Sequence, residues 1–541
     1  MSTARKILSN TIWQIIGRFS MAALAIFTLK IATNYLSVKG YGEYAVTYEF
    51  LAFFSIAADM GLFTIAITEM SKDETKISKI IGNVMTLRTI FVVFTMLVAV
   101  GSVFLIPKYD GTRIPVAVSI ATLSIFFTIT NGTITSVLQA KLKMHIASIA
   151  QIIGKITMIL YMAYIAFYAF PKAPIITSQI LNNVTQTNAS AIATQAPFTS
   201  PDVSGLVPTS PDLAFYHLII AGVVGNLIMT LVTYYFVRKI TPLSFQFDKT
   251  LCKEILKKSL PYGIALILNT IYFRIDSILL SLIKDQQEVG IYAVAMRVLE
   301  AVSVIPLFFM NSVLPVLTKS IKDNLVEKTK TIIKYSFDFM FGLGVPILIG
   351  TLTLAYPLIY IVSSSEFLSR LNEGFYGSDI ALQILMFAMV IQFLSTVFMF
   401  LLLALDKQTK ILWINLSAVI FNIIGNLLII PYYGFRGSAF ISILSALLIL
   451  ILSVKYAYKY FKFHISISAP IKMVISALIM GALVYFLQPI SYKYFHNAGL
   501  LILIPLAGIL YLSLLLLTKA ITKDMLKLLK KEEAATPENQ L

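Results

Sequence analysis

Long apolar blocks, each about as long as a bilayer is thick, constrain the fold of this 541-residue chain more than any other feature. A helix needs about 20 apolar residues to cross roughly 30 Å of hydrocarbon, whereas the strands of a membrane barrel alternate in polarity over about ten positions. The apolar runs are unbroken, so they predict helices. We count fourteen such blocks, at residues 11–34, 44–68, 82–106, 114–138, 146–169, 213–237, 259–283, 290–317, 335–362, 380–405, 410–430, 436–458, 470–489 and 498–518.

The overall composition excludes a soluble enzyme. Hydrophobic residues make up 58% of the chain and charged residues only 13%, about half of their usual share in a globular domain. The chain has one cysteine, Cys252, and four histidines that lie far apart in sequence. Neither a disulfide framework, a zinc site nor a cysteine nucleophile is therefore expected. The sequence predicts an all-α polytopic membrane protein without a cofactor.

The positions of Lys and Arg between the blocks explain most of the net charge of +17. Connectors on the side of the N-terminus, with both tails, hold 29 of these residues, whereas the opposite connectors hold 8. This alternation at every loop is typical of a protein with both termini in the cytoplasm. We therefore expect a multi-pass protein of the cell membrane whose basic residues serve topology, with no nucleic-acid partner.

An internal repeat at an offset of 248 residues predicts two lobes. Gly42–Val46 (GEYAV) aligns without gaps with Gly290–Val294 (GIYAV), and residues 6–8 align with residues 254–256. Both matches flank a span that begins in the cytoplasm, which indicates parallel repeats. The predicted organisation is an N-lobe (1–240, spans 1–6), a linker (241–258), a C-lobe (259–460, spans 7–12), two further spans (461–518) and a cytoplasmic tail (519–541).

Two connectors differ from the rest. Residues 171–212, on the outer side, are rich in Ser, Thr, Asn, Ala and Pro, and predict a flexible surface loop with glycosylation patterns at Asn183 and Asn188. In the cytoplasmic linker, apolar residues recur every four positions with lysines between them. This pattern predicts a helix in the membrane interface that joins the lobes, and residues 521–531 are similar.

Charged residues inside the spans are the candidate functional groups, because an ionisable side chain in hydrocarbon needs a partner or a watery cavity. A cationic ladder facing one cavity could bind an anionic substrate through Arg18, Arg88, Lys155, Arg274 and Arg297. The candidates for binding a coupling ion are Asp59, Asp276 and Glu300. The alternative is local pairing, of Arg297 with Glu300, Arg274 with Asp276 and Arg18 with an acid on the second span.

A second polar feature is the spacing of Asn415, Asn422 and Asn426, which places the three on one face of the eleventh span. Hydrogen bonding between helices is the favoured interpretation of this face, and contact with glycan hydroxyls is the alternative.

Three stretches resemble a known family. SLPYGIALILNTIYFRIDSILLSLIKDQQEVGIYAVAMRVLE (259–300), NIIGNLLIIPYYGFRGSA (422–439) and GYGEYAVTYEFLAFFSIAADMGL (40–62) are similar to segments of polysaccharide-biosynthesis flippases, which transport lipid-linked oligosaccharides. The resemblance covers spans one to twelve. It implies the fold of the multidrug, oligosaccharidyl-lipid and polysaccharide exporter superfamily, with two lobes, an alternating-access cavity and, in several members, a cationic lumen.

The resemblance also bears on particular residues. Arg274 and Asp276 fall on the family's Arg-x-Asp, and Arg297 falls on the Arg that closes its Gly-x-Tyr motif, whereas Arg18, Arg88 and Lys155 match no motif. The long loop 171–212 departs from the short connector that is usual in the family.

The sequence therefore predicts a flippase that moves a polyprenyl-diphosphate-linked glycan from the cytoplasmic to the outer leaflet, coupled to H+ or Na+, with glycan-assembly enzymes as further partners. The alternatives are a cation-coupled multidrug exporter of the same superfamily, a membrane glycan polymerase or transferase, and a scaffold for glycan assembly. A drug exporter of cations would favour an acidic cavity, and a polymerase would call for catalytic residues in a large outer loop.

Overall fold

The computed structural model describes residues 3–174, 206–208, 210–495 and 499–520, nearly all of them helical. Most of the predicted flexible loop 171–212, with Asn183 and Asn188, and the tail 521–541 lie outside the described residues. The chain divides into two compact units, Met1–Ile267 and Leu268–Leu541. The lobe boundaries at 240 and 259 stay predictions.

The first unit contains the helices before the predicted linker. They are α1 (Thr3–Tyr35), α2 (Val38–Asp59), α3 (Leu62–Lys72), α4 (Ile77–Phe104), α5 (Ile114–Ala140), α6 (Met144–Tyr164) and α7 (Pro211–Val237). A π-helix, Ile165–Ala169, extends α6. Strands β1 (Lys172–Pro174) and β2 (Leu206–Pro208) pair antiparallel.

The next helix, α8 (Lys249–Ile283), begins in the first unit and ends in the second. The remaining helices are α9 (Gln286–Lys322), α10 (Val326–Val362), α11 (Ser378–Ala404), α12 (Gln408–Tyr460), α13 (Ser468–Phe495) and α14 (Leu500–Leu517). Two short 3-10 helices, Ser365–Phe367 and Leu371–Glu373, connect α10 to α11.

The prediction of a polytopic helical membrane protein is confirmed. Among the described residues, eleven helical segments are long and apolar enough to cross a bilayer. The remaining three predicted spans correspond to the 33-residue α1, to half of α12 and to the shorter apolar segment Ile502–Leu517. Helix α12 has 53 residues and contains a break at Gly434 (φ 54°, ψ −137°), so it supplies two spans. The orientation of the termini stays a prediction.

The second predicted span is a broken helix. Met60 (φ 43°) and Gly61 (φ 75°) are left-handed and separate α2 from α3. A Cβ on Gly61 would lie 2.8 Å from Tyr262 Cδ1, and one on Gly263 would lie 2.7 Å from the Met60 carbonyl oxygen. The early part of α8 thus packs directly on the break, and glycine permits both the conformation and the approach.

The linker differs from the predicted interfacial helix over 242–258. Residues 242–248 are not helical, and residues 249–258 form the first turns of α8, which continues to Ile283. The helix begins at Lys249 because the Asp248 carboxylate accepts hydrogen bonds from the backbone N–H groups of Thr250 (3.0 Å) and Leu251 (3.2 Å). Whether these first turns lie in the membrane interface stays a prediction.

Helix α4 holds the non-helical part of the linker in place. Asn83 Oδ1 accepts from the backbone N–H of Asp248 at 2.5 Å, and Gln246 N–H donates to the Gly82 carbonyl at 3.3 Å. The Lys79 ammonium lies 2.7 Å from the Asp248 carboxylate. Its hydrogen bond lowers the pKa of that carboxyl, assisted by the backbone N–H of Leu251.

Candidate functional site

The first unit contains a buried ion pair at the break in the second span. Arg88, from the middle of α4, is 4% exposed and pairs through Nη2 with Asp59, the last residue of α2. Its Nη1 donates to Thr133 Oγ1 on α5 at 2.9 Å. The pair places a positive charge beside the carboxyl end of α2, which favours it through the helix dipole.

Arg88 and Asp59 were predicted to have separate roles, one as a substrate ligand and one as an ion ligand. The structure brings them together instead, so that each neutralises the other. Arg88 could bind a substrate only after this pair opens, and removing one partner of a buried pair is costly. Both predicted roles stay predictions.

The two other basic candidates of the first unit lie on different helices. Arg18 is exposed on α1. Lys155 is half-buried on α6, with its ammonium 3.7 Å from Met158 Sδ. Their predicted roles in substrate binding stay predictions.

The second unit contains a cluster of two arginines and one glutamate on α8 and α9. Arg274 Nη1 lies 2.9 Å from Glu300 Oε1, and Arg297 Nη1 lies 2.8 Å from Glu300 Oε2. The pairing of Arg297 with Glu300 is the local one considered from the sequence. Arg274 pairs with Glu300, on the next helix, and not with Asp276 as considered from the sequence. We call these three residues the arginine cluster.

The arginine cluster is accessible. The side chains of Arg274, Arg297 and Glu300 are 27%, 35% and 30% exposed. Charged groups at this depth in a span cannot face hydrocarbon without a large cost, so the exposed side of the cluster must meet water or a polar ligand. Two guanidinium groups within reach of one carboxylate are an arrangement that can bind an anion.

Asp276, two residues after Arg274 on α8, lies in a different environment. It is 5% exposed. Its Oδ1 accepts from Asn426 Nδ2 at 2.9 Å, and its Oδ2 accepts from the hydroxyls of Tyr292 and Ser442, both at 2.9 Å. Helices α8, α9 and α12 thus direct polar atoms at one carboxylate.

A small cavity adjoins this carboxylate. Its volume is about 40 Å3, and its polar lining comes from Tyr272, Asp276, Tyr292, Gln392, Asn422 and Ser442. A space of this size holds one or two waters or a small ion. Among the described residues, the buried oxygens without a hydrogen-bond partner include Oδ1 of Asn426, whose Nδ2 donates to Asp276. Oxygen atoms are the ligands that hard cations prefer.

Part of this site was predicted from the sequence. Asp276 was a predicted site residue, whereas Asn422 and Asn426 were assigned to helix packing, and Tyr292 and Ser442 were not predicted. Tyr292 lies within the GIYAV repeat, which was a signal for its position and not for its role. Among the described residues, no group of three or more His, Cys, Asp or Glu side chains is placed to hold a metal ion.

Comparison with known proteins agrees with this architecture. The sequence model described as "Polysaccharide biosynthesis protein" matches residues 7–202 and 203–321, more than half of the chain. No curated protein matches the sequence.

Solved structures of membrane transporters share the fold. The chain is similar to the lipid II flippase MurJ in an inward closed conformation (TM-score 0.65, 14% identity, covering 94% of this chain and 98% of that one). It is also similar to a multidrug resistance MATE family transporter of the MOP superfamily, inward-facing (TM-score 0.60, 14% identity, 82% and 97% covered). A third similar structure is a MOP superfamily transporter from Pyrococcus furiosus (TM-score 0.53, 15% identity, 84% and 95% covered).

Proposed function

Because the chain belongs to the polysaccharide biosynthesis protein family, we propose that it moves a lipid-diphosphate-linked oligosaccharide from the cytoplasmic to the outer leaflet by alternating access. The observation that carries this proposal is the accessible arginine cluster within membrane-spanning helices. Two guanidinium groups at one exposed place match the geometry of phosphate oxygens, which arginine binds bidentately. The lipid tail can stay in the bilayer while the diphosphate and glycan cross.

The charge of the cluster favours this substrate over the cationic substrate of a drug exporter. Two guanidinium groups at one exposed place favour an anionic ligand over a cation. The similar structures include both a lipid II flippase and a multidrug transporter, and the arginine cluster supports the first of these substrate classes. The residues of the cluster lie on two neighbouring helices, and its one carboxylate, Glu300, is bound by both arginines, which supports transport and not glycan transfer.

Asp276 is the acid that the geometry favours as the ligand of a coupling ion. Asp59 is neutralised by Arg88 and Glu300 is held by two arginines, whereas the hydrogen bonds to Asp276 come from neutral groups. We propose that the cavity beside it takes either Na+ or a proton.

The transport proposal is tested in liposomes that contain the full chain and a fluorescent lipid-diphosphate oligosaccharide. We expect wild type to exchange the lipid between leaflets faster than protein-free vesicles, and Arg274→Ala to abolish this exchange. The matched control is Arg370→Ala, an exposed arginine outside the spans that pairs with Glu373, which should transport normally. Full activity of Arg274→Ala would refute the proposal.

The coupling proposal is tested by following the thermal unfolding of the purified protein in NaCl and in choline chloride at equal ionic strength. A cation that binds only the folded protein at 100 times its Kd stabilises it by about 2.7 kcal/mol. Sodium should therefore raise the Tm of wild type, and Asp276→Asn should lose this shift. Asp406→Asn is the control, because Asp406 is exposed and its left-handed conformation (φ 56°) also suits Asn. If sodium has no effect, a pH gradient that drives transport in wild type and not in Asp276→Asn would assign the site to a proton, and failure of both would refute it.

A further inference from the structure

We propose that Glu300 is a resident counter-anion, which occupies the phosphate position of the arginine cluster and must be displaced when the diphosphate binds. This inference rests on the proposed function and deepens it. It replaces the sequence-based role of Glu300 as an ion ligand with a role in setting the affinity for substrate.

The geometry shows a carboxylate in the place of a phosphate. Each oxygen of Glu300 is bound by a different arginine, at 2.9 Å for Arg274 and 2.8 Å for Arg297. A phosphate group would also bridge the two guanidinium groups through two of its oxygens. The carboxylate and the ligand thus require the same N–H donors.

The exposure of the cluster makes the exchange feasible. Its side chains are 27–35% exposed, whereas those of the buried pair Arg88 and Asp59 are 5% and 18% exposed. Ion pairs that keep contact with water contribute little net free energy, because solvent screens their attraction. A diphosphate, with more charge than a carboxylate, can therefore displace Glu300, whereas a buried pair could not be opened at a comparable cost.

The exchange has a function in turnover. Without substrate, Glu300 neutralises part of the repulsion between the two arginines. With substrate bound, the released carboxylate stays close to an anion of the same sign, which weakens binding and favours release. A transporter gains from such weakening because a substrate that binds too tightly leaves slowly.

The opposite reading is that Glu300 only positions the arginines for the diphosphate. The two readings predict opposite changes in substrate affinity when the Glu300 carboxylate is removed. A positioning carboxylate increases affinity, so its removal would weaken binding, whereas a competing counter-anion decreases affinity, so its removal would strengthen binding.

The test measures binding of radiolabelled farnesyl diphosphate, a lipid diphosphate without a glycan, to the full chain in nanodiscs. We expect Glu300→Gln to bind it about three- to tenfold more tightly than wild type, which corresponds to the removal of one competing partly exposed charge. Leaflet exchange of the lipid-linked oligosaccharide should become slower at saturating substrate, because release is slower. Glu373→Gln, an exposed glutamate that pairs with Arg370 outside the spans, is the matched control and should leave both quantities unchanged.

A second variant allows the test to be made even if Glu300→Gln does not fold. Glu300→Asp keeps the charge but is one methylene shorter and cannot bridge both arginines as Glu300 does, so it should also bind the probe more tightly. Binding that is equal to or weaker than wild type in a folded Glu300 variant, while Arg274→Ala abolishes binding, would overturn the counter-anion role and leave the proposed function standing. If Arg274→Ala binds the probe as wild type does, the diphosphate site itself is wrong and both proposals fail.

Discussion

Replacing Arg88 with Met should destabilise the first unit by about 3 kcal/mol. Removing one partner of a buried ion pair costs about 3–5 kcal/mol, because it leaves the other charge without compensation. The Asp59 side chain is 18% exposed, which places the expected cost at the lower end of that range. Thr133 adds little, because its hydroxyl still donates to the Ile129 carbonyl at 2.9 Å after Arg88 is gone.

The double variant Arg88→Met with Asp59→Asn distinguishes the energy of the ion pair from the effects of the two single substitutions. It removes both charges, so it should be about 2 kcal/mol more stable than Arg88→Met alone, within the usual range of coupling between contacting residues. If Arg88 serves only the structure, the double variant should also regain transport. If Arg88 binds the diphosphate, the double variant should fold and remain inactive.

The chain offers a convenient probe for this measurement. It has two tryptophans, Trp13 and Trp413, one in each unit. In a Trp413→Phe background, tryptophan fluorescence during denaturant unfolding in detergent reports on the first unit alone. A change of less than about 0.5 kcal/mol for Arg88→Met, or a double variant as unstable as the single one, would refute the reasoning.

Two further predictions concern stability. Gly434→Ala should lower the free energy of unfolding by about 1–3 kcal/mol, because Gly434 has a positive φ (54°) and a Cβ there would collide with the Glu288 carboxylate. The control Gly101→Ala, where nothing lies within 4 Å of the added Cβ, should be neutral or stabilising. Equal Tm values for the two variants would contradict this reasoning. Arg113→Ala should lower the free energy of unfolding by about 3 kcal/mol, because it leaves the buried Glu43 carboxylate without the guanidinium that binds it at 2.5–2.6 Å. Adding Glu43→Gln should recover much of this stability in the same unfolding assay. If it does not, the uncompensated carboxylate is not the cause of the loss.

The helices could be predicted closely from the sequence because each is a local property of a continuous apolar run. The predicted span 114–138 corresponds to α5 (Ile114–Ala140), and the predicted span 213–237 corresponds to α7 (Pro211–Val237). The linker was less predictable. Its apolar spacing indicated a helix from residue 242, but residues 242–248 are not helical and contact α4, and the cap at Asp248 sets the helix start.

Several charged residues of the candidate site were predicted from the sequence, but most of the ion pairs between them were not. The sequence alone determined the apolar spans, their alternation and the presence of costly charges within them, because hydrophobicity and charge act at each position separately. Only the tertiary structure decided that Arg88 is neutralised by Asp59 whereas Arg274 and Arg297 stay accessible around one carboxylate. It also decided that Asn426, 150 positions from Asp276 along the chain, donates to its carboxylate. Partners on different helices are chosen by packing, and packing determines both which groups meet and how much water remains between them.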